Sequence, residues 1–294
     1  MEKFVCDLGF STAKWMDDKT KGRVPSVYVQ RGGQDPLVGE EALTSPGGVS
    51  YLRATDQLVR TYPWFLEKCL DAAGTTGEVK VAVGLPAQYW REQKATKGGA
   101  IDCLEQTLLS SRVKEVNVLP QGMGGIRAYT STQKDVPEGL ILGVDIGFNT
   151  IIYTLFNPAN KKVLYDHTMC ERGVSQLVAM YLMPKILDFT SGKPITPPEV
   201  AIMMETGYFT NGFNRIDMMP EIRQAATEYT EDIIQEIMET VKVSIPITHF
   251  LGTALFFGGG AAHLKNQNSE KVKVMVLPEP EYANARGFMN YLER

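Results

Sequence analysis

The chain has 294 residues, 44% of them hydrophobic and 22% charged, the balance of an ordinary globular protein rather than of a disordered one. At roughly 100 to 200 residues per domain, that length accommodates two domains and argues against four. Thirty Lys and Arg against thirty-four Asp and Glu leave a net charge of −4, so no cationic surplus points to a nucleic-acid binder. The N-terminal M-E-K-F-V-C-D-L-G lacks an apolar core of signal-peptide length, which reads as a cytoplasmic chain. The longest run free of Asp, Glu, Lys and Arg, residues 243–264, is long enough to raise the question of a membrane span. Pro246, His249, His263 and Gly258-Gly259-Gly260 divide it into a strand, a turn and a helix start instead.

In chain order, residues 3–8 and 13–16 read as two strands joined by a tight G-F-S-T turn. Residues 55–73 carry Leu58, Val59, Tyr62, Phe65, Leu66, Cys69 and Leu70 on one helical stripe, with Gly74 as the stop. A buried strand is expected at 79–83, a helix near 90–98, a pair of strands around 101–119 and a helix over 123–132 after Pro120 and Gln121. The opening pattern then returns: a strand over 140–145, the turn G-F-N-T, and a strand over 151–156. Further on, a strand at 161–168 and a helix at 173–187 precede a Pro-rich linker at 194–198. Helices near 197–206 and 217–242, a strand at 253–257, the Gly triplet with a short helix to about Lys265, a strand at 272–277 and a helix at 282–292 complete the chain.

The segment D-L-G-F-S-T-A-K at 7–14 and D-I-G-F-N-T-I-I at 145–152 share Asp, Gly, Phe and Thr in the same places. Such an internal repeat implies a duplicated domain rather than a solenoid. A strand that ends in Asp and turns through Gly, a small polar residue and Thr is a physical solution for holding phosphate. Glycine lets the backbone approach, successive N–H groups point at the anion, and hydroxyls add donors. The carboxylates cannot touch phosphate directly; their natural role is to hold water on Mg²⁺. A third motif, G-T-A-L-F-F-G-G-G-A-A-H-L at 252–264, runs a hydrophobic strand into a shelf without side chains, where a purine and its ribose could lie. Cys6, Cys69, Cys103 and Cys170 form no C-x-x-C pair and read as buried thiols. His167, His249 and His263 are too scattered for a zinc site, so any metal is expected to be a hard cation. Met203, Met204, Met218, Met219 and the Tyr208-Phe209 pair read first as core packing, with the lining of a base pocket or a contact between copies as the alternative.

At these residues the sequence resembles the actin-like ATPases. D-L-G-F-S-T-A-K is similar to the first phosphate loop of that family, V-L-P-Q-G at 118–122 to its first connecting segment, V-D-I-G-F-N-T at 144–150 to its second phosphate loop and F-F-G-G-G-A at 256–261 to its adenosine motif. Y-A-N-A-R-G-F at 282–288 and V-A-V-G-L-P-A at 81–87 resemble the ParM/StbA branch of plasmid-segregation actins and its archaeal and phage relatives. The resemblance spans nearly the whole chain. It implies an α/β fold of two duplicated ribonuclease H-like domains with nucleotide in the cleft between them. Residues 1–138 plus 270–294 would form one domain and 139–269 the other.

The resemblance further implies that Asp7 and Asp145 organise hydrated Mg²⁺. Gly9, Phe10, Ser11, Thr12, Gly147, Phe148, Asn149 and Thr150 would contact phosphate, and Lys14 would supply a point charge to the β- and γ-phosphates. Gln121 falls where the family positions the attacking water, a role that suits a loose phosphoryl-transfer transition state. Gly258, Gly259 and Gly260 would receive the adenosine, and Glu205 lies on the segment that flanks base and ribose. Phe148-Asn149 departs from the Gly-containing pair of many relatives, and the 20–55 region is expected to be a trimmed outer subdomain.

The implied function is an ATPase that binds ATP and Mg²⁺, with GTP left open, and assembles head to tail into cytoskeletal filaments. Plasmid or DNA segregation through an adaptor protein would be its role, without direct membrane or nucleic-acid binding. Two alternatives share the fold: a small-molecule kinase, which would need a carboxylate base near the acceptor hydroxyl, and a nucleotide-binding scaffold with little hydrolysis.

Overall fold

The first half of the computed structural model is built outward from the opening strand. The structure describes residues 1–187, 189, 197–212, 214–244, 250–264 and 272–293. Strands β1 (Glu2–Leu8), β2 (Thr12–Asp17) and β3 (Lys21–Pro25) run antiparallel, and β4 (Val27–Arg31), β5 (Gln34–Val38), helix α1 (Glu40–Thr44) and β6 (Ser50–Tyr51) form a small outlying unit with the sheet order β5-β4-β6. This is the 20–55 region. Helix α2 (Thr55–Ala72) follows, then β7 (Val79–Leu85), α3 (Ala87–Lys94), α4 (Ala100–Leu108), β8 (Val113–Pro120) and α5 (Met123–Thr130). The strand expected at the start of 101–119 is therefore a helix. Ile101, Leu104 and Leu108 are its buried residues, a spacing of three and four that matches one helical face, while only the residues from Val113 onward extend.

The second half repeats the plan. Strands β9 (Leu140–Ile146), β10 (Thr150–Asn157) and β11 (Lys162–Cys170) lead into a helical segment made of α6 (Val174–Gln176), π-helical turns over Leu177–Leu182 and α7 (Met183–Ile186). Helix α8 (Pro197–Thr206), the hairpin β12 (Tyr208–Asn211) and β13 (Asn214–Asp217), and the long α9 (Met219–Ser244) come next. Of the expected linker, 194–196 lie outside the described residues, and Pro197 and Pro198 already open α8, where a missing N–H costs nothing. Strand β14 (Leu251–Phe257), a 3₁₀ turn at Gly259–His263, β15 (Lys273–Val276), a 3₁₀ turn at Pro280–Tyr282 and α10 (Ala283–Leu292) end the chain.

The two large sheets have the same design. Their orders are β3-β2-β1-β7-β8 and β11-β10-β9-β14-β15, each with an antiparallel hairpin on one side of the opening strand and two parallel strands on the other. Within the expected division at residue 270, β15 pairs with β14 in the second sheet, whereas α10 packs on the first. Helix α2 lays Leu58, Tyr62, Phe65, Leu66, Cys69 and Leu70 on the first sheet, fully buried. Each large side chain contributes about 1.5–3 kcal/mol by leaving water. In the second half Ile222, Ala226, Tyr229, Ile233, Ile237 and Val241 of α9 share one buried core with Val144, Ile151 and Tyr153 of the sheet and with Met203, Met204 and Met218.

The halves exchange their last helices. Helix α5 follows the first sheet yet sets Ile126 and Tyr129 against Ile141, Leu255 and Phe257 of the second. Helix α10 follows the second sheet yet sets Ala285, Phe288 and Met289 against Val5 and Ala82 of the first. The two helices cross at Gly124 and Gly287, where a Cβ on Gly287 would overlap the Gly124 carbonyl, so the backbones meet with no side chain between them. Arg91 of α3 and Asp166 of β11 form an ion pair that also joins the halves.

Cys6 and Cys69 are buried as expected, but Cys103, on the outer face of α4, and Cys170, at the end of β11, are exposed. Among the described residues no helix is long and apolar enough to cross a membrane, and the described part of 243–264 holds strand β14 and the 3₁₀ turn.

Candidate active site

The repeated turns face one cleft. In each, the first glycine closes the hairpin with its amide: Gly9 N–H donates to the Thr12 carbonyl at 3.1 Å and Gly147 N–H to the Thr150 carbonyl at 2.8 Å. A Cβ on either glycine would lie 3.1 Å from that same carbonyl. Phe148 and Asn149 both keep φ negative, so the second turn does not need the extra glycine of related loops. The surroundings of the turns differ. Ser26 N–H donates to the Ser11 carbonyl at 2.9 Å in the first, whereas Val174 and Ser175 N–H, at the start of α6, donate to the Gly147 and Phe148 carbonyls at 3.0 and 2.8 Å in the second.

Between the turns lies a cleft of about 760 Å³. Its walls include Asp7, Gly9, Phe10, Ser11, Thr12, Lys14, Gln121, Asp145, Gly147, Phe148, Thr150, Glu205, Gly258, Gly259 and Gly260, residues drawn from distant stretches of the chain. Asn149 is the one expected site residue that does not line it. At one end Val174, Val178, Ala179, Met183, Val200 and Met204 provide an apolar wall that a flat aromatic base would match. Met204 therefore serves both the core and the cleft. At the mouth Glu205 of α8 pairs with Arg23 of β3 at 3.2 Å, across the two halves, with both side chains largely in water.

The floor is polar and buried. Asp7, Gln121, Asp145 and Asn284 are only 6%, 8%, 7% and 5% exposed. Gln121 Nε2 donates to Asp7 Oδ1 at 2.7 Å, and Asn284 Nδ2 donates to Asp145 Oδ2 at 2.6 Å. Burial raises Asp7 above the ordinary carboxylate range, opposed by Lys14 and by the amides of Gln121 and Asn284. Asp145 is pushed up to about 7, first by burial and then by the negative charge of Asp7. Asn284, Lys14 and the Gly122 N–H pull the other way. Two buried acids so close together, with one lysine near them, leave negative charge that the protein does not itself neutralise.

The glycines of the third motif divide their roles. Gly258 has φ of +86°, and a Cβ there would overlap Asp145 Oδ1, so it brings the β14 turn against the acid. Gly260 is packed on Ile146, while nothing lies within 4 Å of a Cβ on Gly259, which leaves open space at the cleft. Behind Asp7, where β1 and β7 part, the buried Tyr62 hydroxyl accepts from Leu8 N–H at 3.2 Å and Gly84 N–H at 3.0 Å and donates to the Cys6 carbonyl at 2.7 Å. A Cβ on Gly84 would stand 2.7 Å from Asp7 Oδ1.

The donor set fits a hydrated hard cation that arrives with phosphate. It offers carboxylate oxygens and amides, and among the described residues no group of three or more His, Cys, Asp or Glu could cage a bare ion. Asp7 and Asp145 would hold water on such a magnesium ion, and their uncompensated charge is the property it would neutralise. The sequence reading did not foresee Arg23, Asn284 or, Met204 apart, the apolar wall in the cleft, nor Tyr62 as a tether behind it. Only Asn284 had a signal, its place in Y-A-N-A-R-G-F, and its contact partner lies 139 residues away.

Two sheets of identical order, exchanged closing helices and paired acidic turns on one cleft define the actin-like fold, an α/β architecture. Comparison with known proteins agrees. Residues 143–270 match the family described as archaeal actin homologue MreB-like, C-terminal. Similar solved structures include a 15-stranded ParM filament from Clostridium botulinum, 17% identical with a TM-score of 0.73 over 99% of both chains. Ta0583, an archaeal actin homologue in complex with ADP, is 14% identical with a TM-score of 0.71 over 100% of both. A MamK double helical filament is 18% identical with a TM-score of 0.69 over 99% of both. No curated protein matches in sequence. The expected actin-like fold is thus borne out over the full chain, and the resemblance to archaeal actin homologues in sequence over residues 143–270.

Proposed function

We propose that this protein binds a magnesium–nucleoside triphosphate in the cleft, hydrolyses the terminal phosphate and assembles head to tail into nucleotide-dependent filaments. The observation that carries the reading is the pair of equivalent turns, with Asp7 and Asp145 buried on one floor beside Gln121. Backbone amides and hydroxyls of 9–12 and 147–150 would receive the phosphates, Lys14 would add a charge, and the apolar wall around Met183 and Met204 would take the base. Magnesium, when bound, would neutralise charge on the phosphates. Gln121 is a neutral amide and a poor base, so its task is to hold the attacking water in line. That choice speaks for water over a metabolite hydroxyl as acceptor, and against a kinase.

The solved relatives that are themselves filaments support assembly of this chain, and the ADP complex of an archaeal homologue supports a nucleotide in the cleft. Unlike front and back surfaces on one chain suffice for an open polymer. In this reading the two large sheets, each with the helices packed on it, move as two units, the division falling after β15 rather than at residue 270, and DNA segregation through an adaptor protein is the cellular role. The test is sedimentation with and without ATP and Mg²⁺, read with phosphate release and negative-stain microscopy. Pelleting filaments and release that steepens with protein concentration are expected with ATP, and GTP in parallel sets the preference. A chain that neither pellets nor releases phosphate with either nucleotide refutes the proposal.

A further inference from the structure

Asn284 opens α10, the helix that leaves the second sheet and crosses to the first. Gln121 stands in the equivalent place, between the end of β8 and the start of α5, the helix that crosses the other way. Each brings an amide to the acid of the sheet its helix has just left: Gln121 to Asp7, Asn284 to Asp145. Asn284 does more than its counterpart. Its Oδ1 accepts the Gly122 N–H at 3.1 Å, the residue next to Gln121, while its Nδ2 holds Asp145. One side chain thus ties the second carboxylate to the turn that carries the first amide.

The arrangement has a single sense. Turning the amide over would set its carbonyl against a carboxylate and its NH₂ against an N–H, two repulsive contacts in a buried site. It also has no slack. A Cβ on Gly124 would lie 2.6 Å from Asn284 Cα and 2.7 Å from its Oδ1, so α5 is seated directly on this residue.

We infer that Asn284 is a positioning residue of the nucleotide site, which fixes Asp145 and the Gln121 turn relative to each other so that a divalent cation can tighten nucleotide binding. The inference rests on the proposed reading of the cleft. It predicts that Asn284 acts through Asp145, which a residue that merely glues α5 to α10 would not do.

The experiment is titration of ADP, with and without Mg²⁺, into the full-length wild type, Asn284→Ala, Asp145→Ala and the double variant. Asn284→Ala should lose roughly tenfold of the magnesium-dependent gain in affinity, the scale of one hydrogen bond to a charged group. Its magnesium-free affinity should stay within about twofold, since the turns that receive phosphate are untouched. In the Asp145→Ala background the same change should cost nothing further. An unchanged magnesium gain in Asn284→Ala, or an equal loss with and without Asp145, overturns the inference. Should Asn284→Ala fail to fold by circular dichroism, Asn284→Ser, too short to span both partners, is read by the same criteria. A wild type with no magnesium gain refutes the reading of the cleft and the inference together; a normal wild-type gain that Asn284→Ala leaves intact refutes the inference alone.

Discussion

In the first sheet Asp7, Lys14 and Arg23 lie abreast on three neighbouring strands; in the second the same places hold Asp145, Ile152 and Thr168. The backbone pattern is duplicated, but the charge is not. Asp7 has a lysine directly across the strand pair, whereas Asp145 faces an isoleucine and draws only on the amide of Asn284, the Gly122 N–H and the more distant Lys14. Burial and then the charge of Asp7 push Asp145 up to about 7, and no cation directly across the strand pair opposes them. The duplication kept the elements that any phosphate-binding hairpin needs, a close-approach glycine and an acid. It kept the cations on one side only, so the second acid depends on charge brought from outside.

Removing the acids should have the largest effect. Asp145→Ala and Asp7→Ala are each expected to lose magnesium-dependent phosphate release by at least about 100-fold, the scale of deleting one preorganised group in a buried site. Steady-state release at saturating nucleotide measures it, and a full rate in Asp145→Ala would contradict the role given to that residue. Next, Lys14→Ile converts the first row toward the second. Loss of one charge-assisted contact corresponds to roughly tenfold or more in ATP affinity. AMP, which lacks the β- and γ-phosphates, should bind as before, and an equal loss for AMP would place Lys14 elsewhere in the site.

The effect with the least bearing on turnover concerns the empty protein. A carboxylate whose folded pKa is raised is most stabilising, relative to the unfolded chain, when protonated, and that stability is lost as pH rises through the folded value. For Asp145, the window runs from its ordinary value of 3.8 to about 7. At about 1.4 kcal/mol for each unit, the loss amounts to a few kcal/mol. Thermal melts without nucleotide should therefore fall from mildly acidic to mildly alkaline pH, and Asp145→Asn should flatten that slope while raising the melting temperature at the alkaline end. An unchanged slope in Asp145→Asn would mean that another group sets it.

Much of the site was legible because its parts are local. Asp7 with Gly9 to Thr12, and Asp145 with Gly147 to Thr150, are single turns whose chemistry is written in consecutive residues, and their repetition exposes the duplication. The apolar stripe of 55–73 was equally plain, and α2 follows it closely. Residues 101–108 misled because so short a run, with only Ile101, Leu104 and Leu108 turned inward, gives too few turns to separate a helical period from a strand. The hairpin Tyr208–Asn211 with Asn214–Asp217 escaped notice because its stability comes from pairing and from Arg215 over the Tyr208 ring, at 3.6 Å, rather than from an apolar pattern.

By itself the sequence determined most strands of the two large sheets and their longest helices, the repeat, and which acids, amides and glycines stand at strand ends, because hydrophobic period and turn chemistry act over a few residues. Only the tertiary structure decided that α5 and α10 exchange sheets, that Arg23 and Glu205 meet at the mouth of the cleft, and that Asn284 joins Asp145 to the Gln121 turn. Those contacts link residues more than a hundred positions apart. They exist because two packed sheets and a glycine-to-glycine helix crossing bring the strand ends together, and nothing local to any one of these residues encodes that meeting.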